Sequence, residues 1–247
     1  MEIFLDGIKY LFVVALPYLI TAIPVTLGLT LISGVIGNLL ALPVAVARTS
    51  HNPVLWVPAY CYILVMRGTP LLIQLFFIYY GLGELLPGTW VRHSWLWPYL
   101  RQGFWYAVFA FSLNTAGYTG EILRVGLNAV PHGEIEAGRA FGMTNRLIFW
   151  RIKLPRAIRI QLPTMAGEVI LLLKATSLAS TITVFDIMGV REDLFAQSFR
   201  TYPPLLGAAI IYITLVFVFT RLLYWVEKHL NRDRLPPEPV ILPLATP

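Results

Sequence analysis

The chain has 247 residues, of which 57% are hydrophobic and only 13% charged, and its mean hydropathy is +0.69. Soluble domains carry about a quarter charged residues, so this composition excludes an ordinary soluble enzyme and points to a multi-span membrane protein. The net charge of +6 comes from Lys and Arg that flank apolar runs, which reads as membrane topology rather than nucleic-acid binding.

The first residues lack the basic start and cleavage site of a signal peptide. Glu2, Asp6 and Lys9 recur at helical spacing among Ile3, Phe4, Leu5 and Ile8, so residues 1–20 read as an amphipathic helix in the membrane interface. Tyr10–Ile20 is apolar but short and holds Pro17, which makes a separate span there the weaker reading. Five spans are expected, at about 21–47, 54–81, 103–124, 162–187 and 203–226, in a domain covering 21–227. Residues 228–247 include Pro236, Pro237 and Pro239 and read as a flexible tail.

Placing the 125–160 segment on the cytoplasmic side collects Arg48, Arg124, Arg139, Arg146, Arg151, Lys153, Arg156, Arg159, Arg221, Lys228, Arg232 and Arg234 there. Lys9, Arg92, Arg101, Arg191 and Arg200 fall on the other side. The positive-inside rule then sets the N-terminus outside and the C-terminus in the cytoplasm. Trp56, Trp105, Trp150 and Trp225 near span ends, with Trp90, Trp95 and Trp97 in the outer loop, suit an interfacial belt. Cys61 is the single cysteine, the four histidines show no metal-ligand spacing, and no G-x-x-x-x-G-K-[ST] segment is present. The chain is therefore read as having no catalytic set, no metal and no cofactor of its own.

Within the 125–160 segment, Pro131 suits a helix start, and Glu134 and Glu136 oppose the positive end of the helix dipole. Ala137, Gly138 and Ala140 keep the helix thin, Arg139 lies among them, and Gly142 supplies a reversal that ends it. Leu154-Pro155 and Leu162-Pro163 read as later breaks. Glu136-Ala137-Gly138, three residues, Gly142, nine residues and Ile152-Lys153-Leu154-Pro155 closely resemble the EAA loop of permease subunits in binding-protein-dependent ABC importers. Arg67-Gly68-Thr69-Pro70 with Gln74 resembles the R-G-T-P-x-x-x-Q segment of polar amino acid permeases, Asn114 to Glu121 their N-x-x-Y-x-x-E helix, and Lys174 to Leu178 their K-x-T-S-L segment. Val130 to Ala137 and Glu168 to Leu171 look most like permeases for histidine, lysine, arginine and opines. Gly138 departs from the family's usual second alanine.

The resemblance covers about residues 22–226. It implies an all-α type I importer permease with a cytoplasmic coupling helix in a bacterial inner membrane. It also implies a second permease subunit, identical or paralogous, two ATPase subunits that bind ATP-Mg, and an extracytoplasmic amino acid-binding protein. On that resemblance, Glu134, Glu136, Ala137, Gly138, Arg139, Ala140 and Gly142 couple the chain to the ATPase.

Ionisable groups at bilayer depth cost roughly 2.5–3.5 kcal/mol on insertion scales. Glu168 is read either as the receptor for a substrate's cationic group or as an ion-pair partner of Lys174 or a neighbouring arginine. Lys174 is six positions on, about 240° around a helix, and so on another face. Asn114, Tyr118 and Glu121 form a polar stripe that lines a pathway or bonds other helices, with Arg124 one turn from Glu121 as its ion-pair partner. Arg67 and Gln74 are expected on one face of the second span, with Pro70 between them either bordering a substrate site or shaping packing. Lys174 and Ser177 complete the pathway candidates. Asp186 and the Arg191-Glu192-Asp193 cluster are expected at the outer surface, either touching a binding protein or, the favoured reading, in a solvated loop. A secondary transporter or a membrane-embedded enzyme is disfavoured, because neither an internal repeat nor a histidine within a span is present.

Overall fold

A computed structural model of the chain describes residues 2–85 and 92–230, with side chains from Leu5 onward. The tail beyond Leu230 and Trp90 lie outside the described residues. From the N-terminus, α1 (Glu2–Tyr10), a π-turn (Leu11–Ala15), α2 (Leu16–Ile20) and α3 (Ile23–Arg48) follow one another. Leu5–Arg48 forms one 44-residue apolar helical stretch. Leu11, Ala15, Leu19 and Ala22 recur every three or four residues, and all are buried against Ile187, Val190, Leu194, Ala208 and Ile211. This stripe packs residues 10–20 onto the C-terminal half of the chain, and Asp6 pairs with Arg200 at 2.8 Å.

Asn52 caps the next helix, its Oδ1 accepting from Val54 N–H at 3.0 Å, and Pro53 fits the first turn, where a missing N–H costs nothing. That helix, α4 (Pro53–Gly68), ends within the stretch expected as a span at 54–81, next to the Pro70 that marks a break or kink there. Thr69 and Pro70 are extended, and α5 (Leu71–Phe76) with the π-turn Phe77–Gly81 leaves at 109° to α4. Proline at 70 forces this, because it disfavours helical backbone at Thr69 and removes a helical donor. Among the described residues, α6 (Leu82–Leu85) and α7 (Trp97–Leu100) follow.

The centre of the bundle is α8 (Gly103–Asn128), a 26-residue helix. It is long enough to cross a bilayer at about 1.5 Å per residue, yet it falls outside the stretches that qualify as spans by length and apolarity. Those are Leu5–Arg48, Asn145–Ile182, Tyr202–Leu230 and the bent pair. The reason is that α8 faces protein. Tyr106, Ala107, Ala110, Phe111, Ser112, Thr115, Ala116, Gly117, Thr119 and Gly120 are all buried, so it carries small and hydroxylated residues where a lipid-facing helix needs large apolar ones. A Cβ on Gly37 of α3 would meet Thr115 Cβ at 2.6 Å, and one on Gly117 would meet Met66 Cβ of α4 at 2.6 Å. These contacts require glycine and let the three helices close on one another.

After α8 come α9 (His132–Ala140), α10 (Asn145–Ile148), a π-turn (Phe149–Lys153) and α11 (Leu154–Ala175), which tightens into a 3-10 segment (Thr176–Ile182). Neither Leu154-Pro155 nor Leu162-Pro163 breaks the chain, contrary to the sequence expectation, and Asn145–Ile182 is one 38-residue helical stretch. The wider turn before Pro155, in which Leu154 N–H bonds Phe149 O, accommodates the donor that proline lacks. The fourth span ends at Ile182 rather than 187, and Thr183 takes a left-handed conformation (φ 64). Asp186 then caps α12 (Ile187–Ser198), and α13 (Tyr202–Leu230) closes the fold.

Candidate functional site: an exposed polar helix and a braced polar cluster

The nine residues of α9 project from the bundle. Glu136, Ala137, Arg139 and Ala140 are exposed, and Phe141 just after the helix is 88% exposed. Its end is a Schellman motif: Gly142 N–H bonds Arg139 O at 2.9 Å and Met143 N–H bonds Gly138 O at 3.0 Å. Gly142 has φ +74, the left-handed geometry that glycine adopts without Cβ strain. Gly138 faces inward. A Cβ there would meet Ile152 Cδ1 at 2.9 Å and Ile148 Cγ1 at 3.3 Å, so this glycine seats α9 on the α10–π-turn segment, while the thin outer face is made by the alanines. Glu134 pairs with Arg156 of α11, Oε1 to Nε at 3.2 Å. The helix is thus tied at both ends to the stretch that becomes the fourth span.

The second cluster surrounds the break between α4 and α5. In a helix, Met66 O would accept from the N–H of residue 70, which is a proline. Gln74 Nε2 takes that role, donating to Met66 O at 3.0 Å and also to Thr69 O at 3.1 Å and Thr69 Oγ1 at 2.8 Å. Asn114 Nδ2 donates to Gln74 Oε1 at 3.0 Å and to Met66 O at 3.3 Å. The break therefore separates Arg67 from Gln74: the helical face expected to join them does not exist, and Gln74 is buried while Arg67 is exposed. The hydrogen bonds of Gln74 and Asn114 are spent on bracing the break.

Arg67 lies over the Tyr118 ring at 5.4 Å and within electrostatic reach of both Glu168 and Glu121. Glu121 is committed to Arg124, which donates to it at 2.9 and 2.6 Å, with Arg48 Nε at 3.9 Å. Glu168, half-buried on α11, has Arg67 rather than Lys174 as the cation acting on it. Arg67 and Tyr118 thus lie together beside the broken helix, and Glu168 feels the Arg67 charge without a direct ion pair. Lys174 and Ser177 line a separate cavity of about 430 Å³ with Ser180, Thr181, Glu192 and Tyr212, and Ser177 Oγ donates to Lys174 O at 2.8 Å.

Several contributors escape sequence reading. Arg48 lies over the stacked rings of Trp56 and Tyr60 at 5.2 and 5.0 Å, a pair signalled only by its i, i+4 spacing. Thr69 supplies two of the three acceptors for Gln74. Asp186 is not solvated as expected: it is fully buried and accepts from Gly189 N–H at 2.9 Å and Tyr212 O–H at 3.2 Å. Burial pushes its carboxyl up to about 6, with these hydrogen bonds opposing the shift. Arg191, Glu192 and Asp193 belong to α12, not to a loop.

Residues 37–232 match the family described as the binding-protein-dependent transport system inner membrane component. The octopine transport system permease protein OccM of Rhizobium meliloti is 45% identical over 216 residues, 87% of each chain. The nopaline transport system permease protein NocM of Agrobacterium fabrum is 40% identical over 90% of this chain and 92% of its own. The histidine/lysine/arginine/ornithine transport system permease protein HisM of Escherichia coli K12 is 38% identical over 85% of this chain and 88% of its own. Among solved structures, an amino acid ABC transporter crystallised with histidines matches with a TM-score of 0.75 and 31% identity over 92% of this chain and 98% of its own. The MetNI methionine ABC transporter shares the fold at a TM-score of 0.70 and 18% identity, over 86% of this chain and 96% of its own. With its all-helical bundle, the chain has the type I importer permease fold, and it belongs to the family of inner membrane components of binding-protein-dependent transport systems, as a transport permease rather than an enzyme.

Proposed function

We propose that this chain is one half of a permease pair that imports basic amino acids or opines in a bacterial inner membrane, driven by ATP hydrolysed on two separate subunits. The observation that carries the reading is α9, exposed along Glu136, Ala137, Arg139 and Ala140, ending in Phe141, seated through Gly138 on the α10–π-turn segment and paired through Glu134 with Arg156 of α11. A polar helix with a bare outer face beside an apolar bundle needs a protein partner, and an ATPase that grips it transmits its closure as a rigid-body movement. The charge distribution supports an extracytoplasmic N-terminus, a cytoplasmic α9 and C-terminus, and a substrate-binding protein on the outer side.

Substrate class rests on Glu168. A carboxylate on the fourth span, balanced by a distant cation rather than a direct ion pair, receives an ammonium or guanidinium group, while Arg67 beside it attracts a carboxylate. Similarity to octopine, nopaline and histidine/lysine/arginine/ornithine permeases supports the same class. The test is uptake by proteoliposomes holding the permease pair, its ATPase and its binding protein. Glu168→Gln is expected to reduce arginine or histidine uptake at least tenfold more than uptake of a neutral amino acid, a difference of about 1.4 kcal/mol. Equal losses for both classes refute charge recognition by Glu168.

A further inference from the structure

Where α12 gives way to α13, a groove of about 660 Å³ lies between the N-terminal helix and the start of α13. Ile8, Leu11, Pro203 and Leu206 supply apolar walls, and Asp6 and Arg200 line the same groove. Leu11 is buried, whereas the Asp6 and Arg200 side chains are 61% and 39% exposed. The charges therefore stand at the mouth and the apolar surface at the base. Both charges are held in place. Arg200 Nη2 lies 2.8 Å from Asp6 Oδ2, and its guanidinium lies over the Tyr10 ring at 4.8 Å. A guanidinium has five donors and a carboxylate about four acceptor sites, so a single contact leaves each able to bind a further polar group.

The groove lies at the edge of the bilayer. Tyr202 at the start of α13 and Trp225 near its end are both exposed. From one to the other is about 34 Å of helix, close to the hydrocarbon thickness of about 30 Å, so the two rings mark the two interfaces. Leu206, one turn on from Tyr202, lies about 6 Å deeper, which is about the depth of one headgroup layer. The rim of the groove is thus level with headgroups and its base with acyl chains. A Cβ on Gly207 would meet Leu19 Cδ1 at 2.8 Å and Leu11 Cδ1 at 3.2 Å. Glycine there lets the N-terminal helix cross close against α13, beside the groove.

We propose that this groove holds a zwitterionic phospholipid with a primary ammonium, phosphatidylethanolamine. Its phosphate sits on Arg200, since a guanidinium fork matches phosphate oxygens. Its ammonium donates to Asp6, and an acyl chain runs along Ile8, Leu11 and Leu206. The opposite charges at the mouth select this headgroup. An anionic lipid meets the Asp6 carboxylate as a like charge, and the trimethylammonium of phosphatidylcholine has no N–H to donate to it. The site goes beyond the transport reading and needs only that α13 crosses a bilayer.

The test places the assembled transporter in nanodiscs with equal parts of phosphatidylethanolamine, phosphatidylcholine and phosphatidylglycerol. Native mass spectrometry counts each lipid retained, with no transport required. Phosphatidylethanolamine is expected to be retained over phosphatidylcholine about fivefold, as one added hydrogen bond provides. Asp6→Asn is expected to abolish that preference and to raise retention of phosphatidylglycerol. Asp6→Glu, which keeps the charge, preserves the preference and shows that the fold is intact. Arg200→Gln is expected to weaken retention of phosphatidylethanolamine and phosphatidylcholine alike, about fivefold. Equal retention of these two lipids by the wild type overturns the proposal, as does a preference that Asp6→Asn leaves unchanged. Replacing Tyr202 by photocrosslinking benzoylphenylalanine should capture lipid. Capture of a protein subunit instead assigns the groove to a protein interface and also overturns the proposal.

Discussion

Removing Gln74 tests whether the break between α4 and α5 is held by side chains standing in for the backbone donor that Pro70 lacks. Gln74 makes three donor contacts at 2.8–3.1 Å and accepts one from Asn114 at 3.0 Å. Hydrogen bonds in membrane bundles average about 0.6 kcal/mol each, so Gln74→Leu, similar in size and without polar atoms, should cost about 2 kcal/mol. For a chain of this size that is a fall of roughly 4–8 °C in Tm, measurable on the detergent-purified complex. The decisive step is the second background. In Pro70→Ala, residue 70 regains an N–H that can reach Met66 O by the ordinary helical bond. Gln74→Leu should then cost about 1 kcal/mol less, because the carbonyl that Gln74 served has its own donor again. An equal penalty in both backgrounds refutes the reasoning, since Gln74 would then be stabilising something other than the freed carbonyl.

Gly142→Ala places a Cβ on a residue at φ +74, where left-handed backbone costs roughly 1–2 kcal/mol. The end of α9 should fray, and ATP hydrolysis in the assembled transporter should continue while uptake per ATP falls severalfold. Unchanged coupling excludes the Schellman end from force transfer. Asp186 lies outside the spanning stretches, between Ile182 and Tyr202, and its carboxyl is raised from 3.8 to about 6 by burial. The folded state therefore holds the proton more tightly than the unfolded one, and stability should fall as pH rises from about 4 through 6, by up to roughly 3 kcal/mol. Asp186→Asn keeps an oxygen for Gly189 N–H and should flatten that slope in a Tm series. An unaltered slope assigns the pH dependence to other groups.

Much of the molecule is legible in its residues, and the exceptions share a physical cause. The αL glycine at 142 and the Glu121–Arg124 pair follow from local capping and spacing rules, and the structure has both. Sequence reasoning joins Arg67 to Gln74 by counting seven residues along a helix that Pro70 interrupts. It puts Asp186 in solvent because charge after an apolar run usually marks a loop, whereas here the carboxylate caps α12 and holds Tyr212 of α13. In both cases the deciding partner comes from a distant element, Asn114 for Gln74 and Tyr212 for Asp186. The helix expected at 103–124 is there as α8, although its apolarity is modest because it packs against protein.

The two clusters are mechanically one system, and α11 joins them. At one end α9 is seated through Gly138 against Ile148 and Ile152 and through Glu134 on Arg156. At the other end the same unbroken stretch carries Glu168 and then Lys174. From Arg156 to Glu168 is about 18 Å of continuous helix, a length over which a helix moves as a rod. On the proposed coupling, displacement of α9 by a partner would move Glu168 relative to Arg67, since Arg67 stands on α4 and lies against Tyr118 of α8 beside the braced break. This explains why the break is braced so heavily. On the function proposed above, a substrate held between Glu168 and Arg67 would be released by separating them, and separation requires one side to stay still while the other moves.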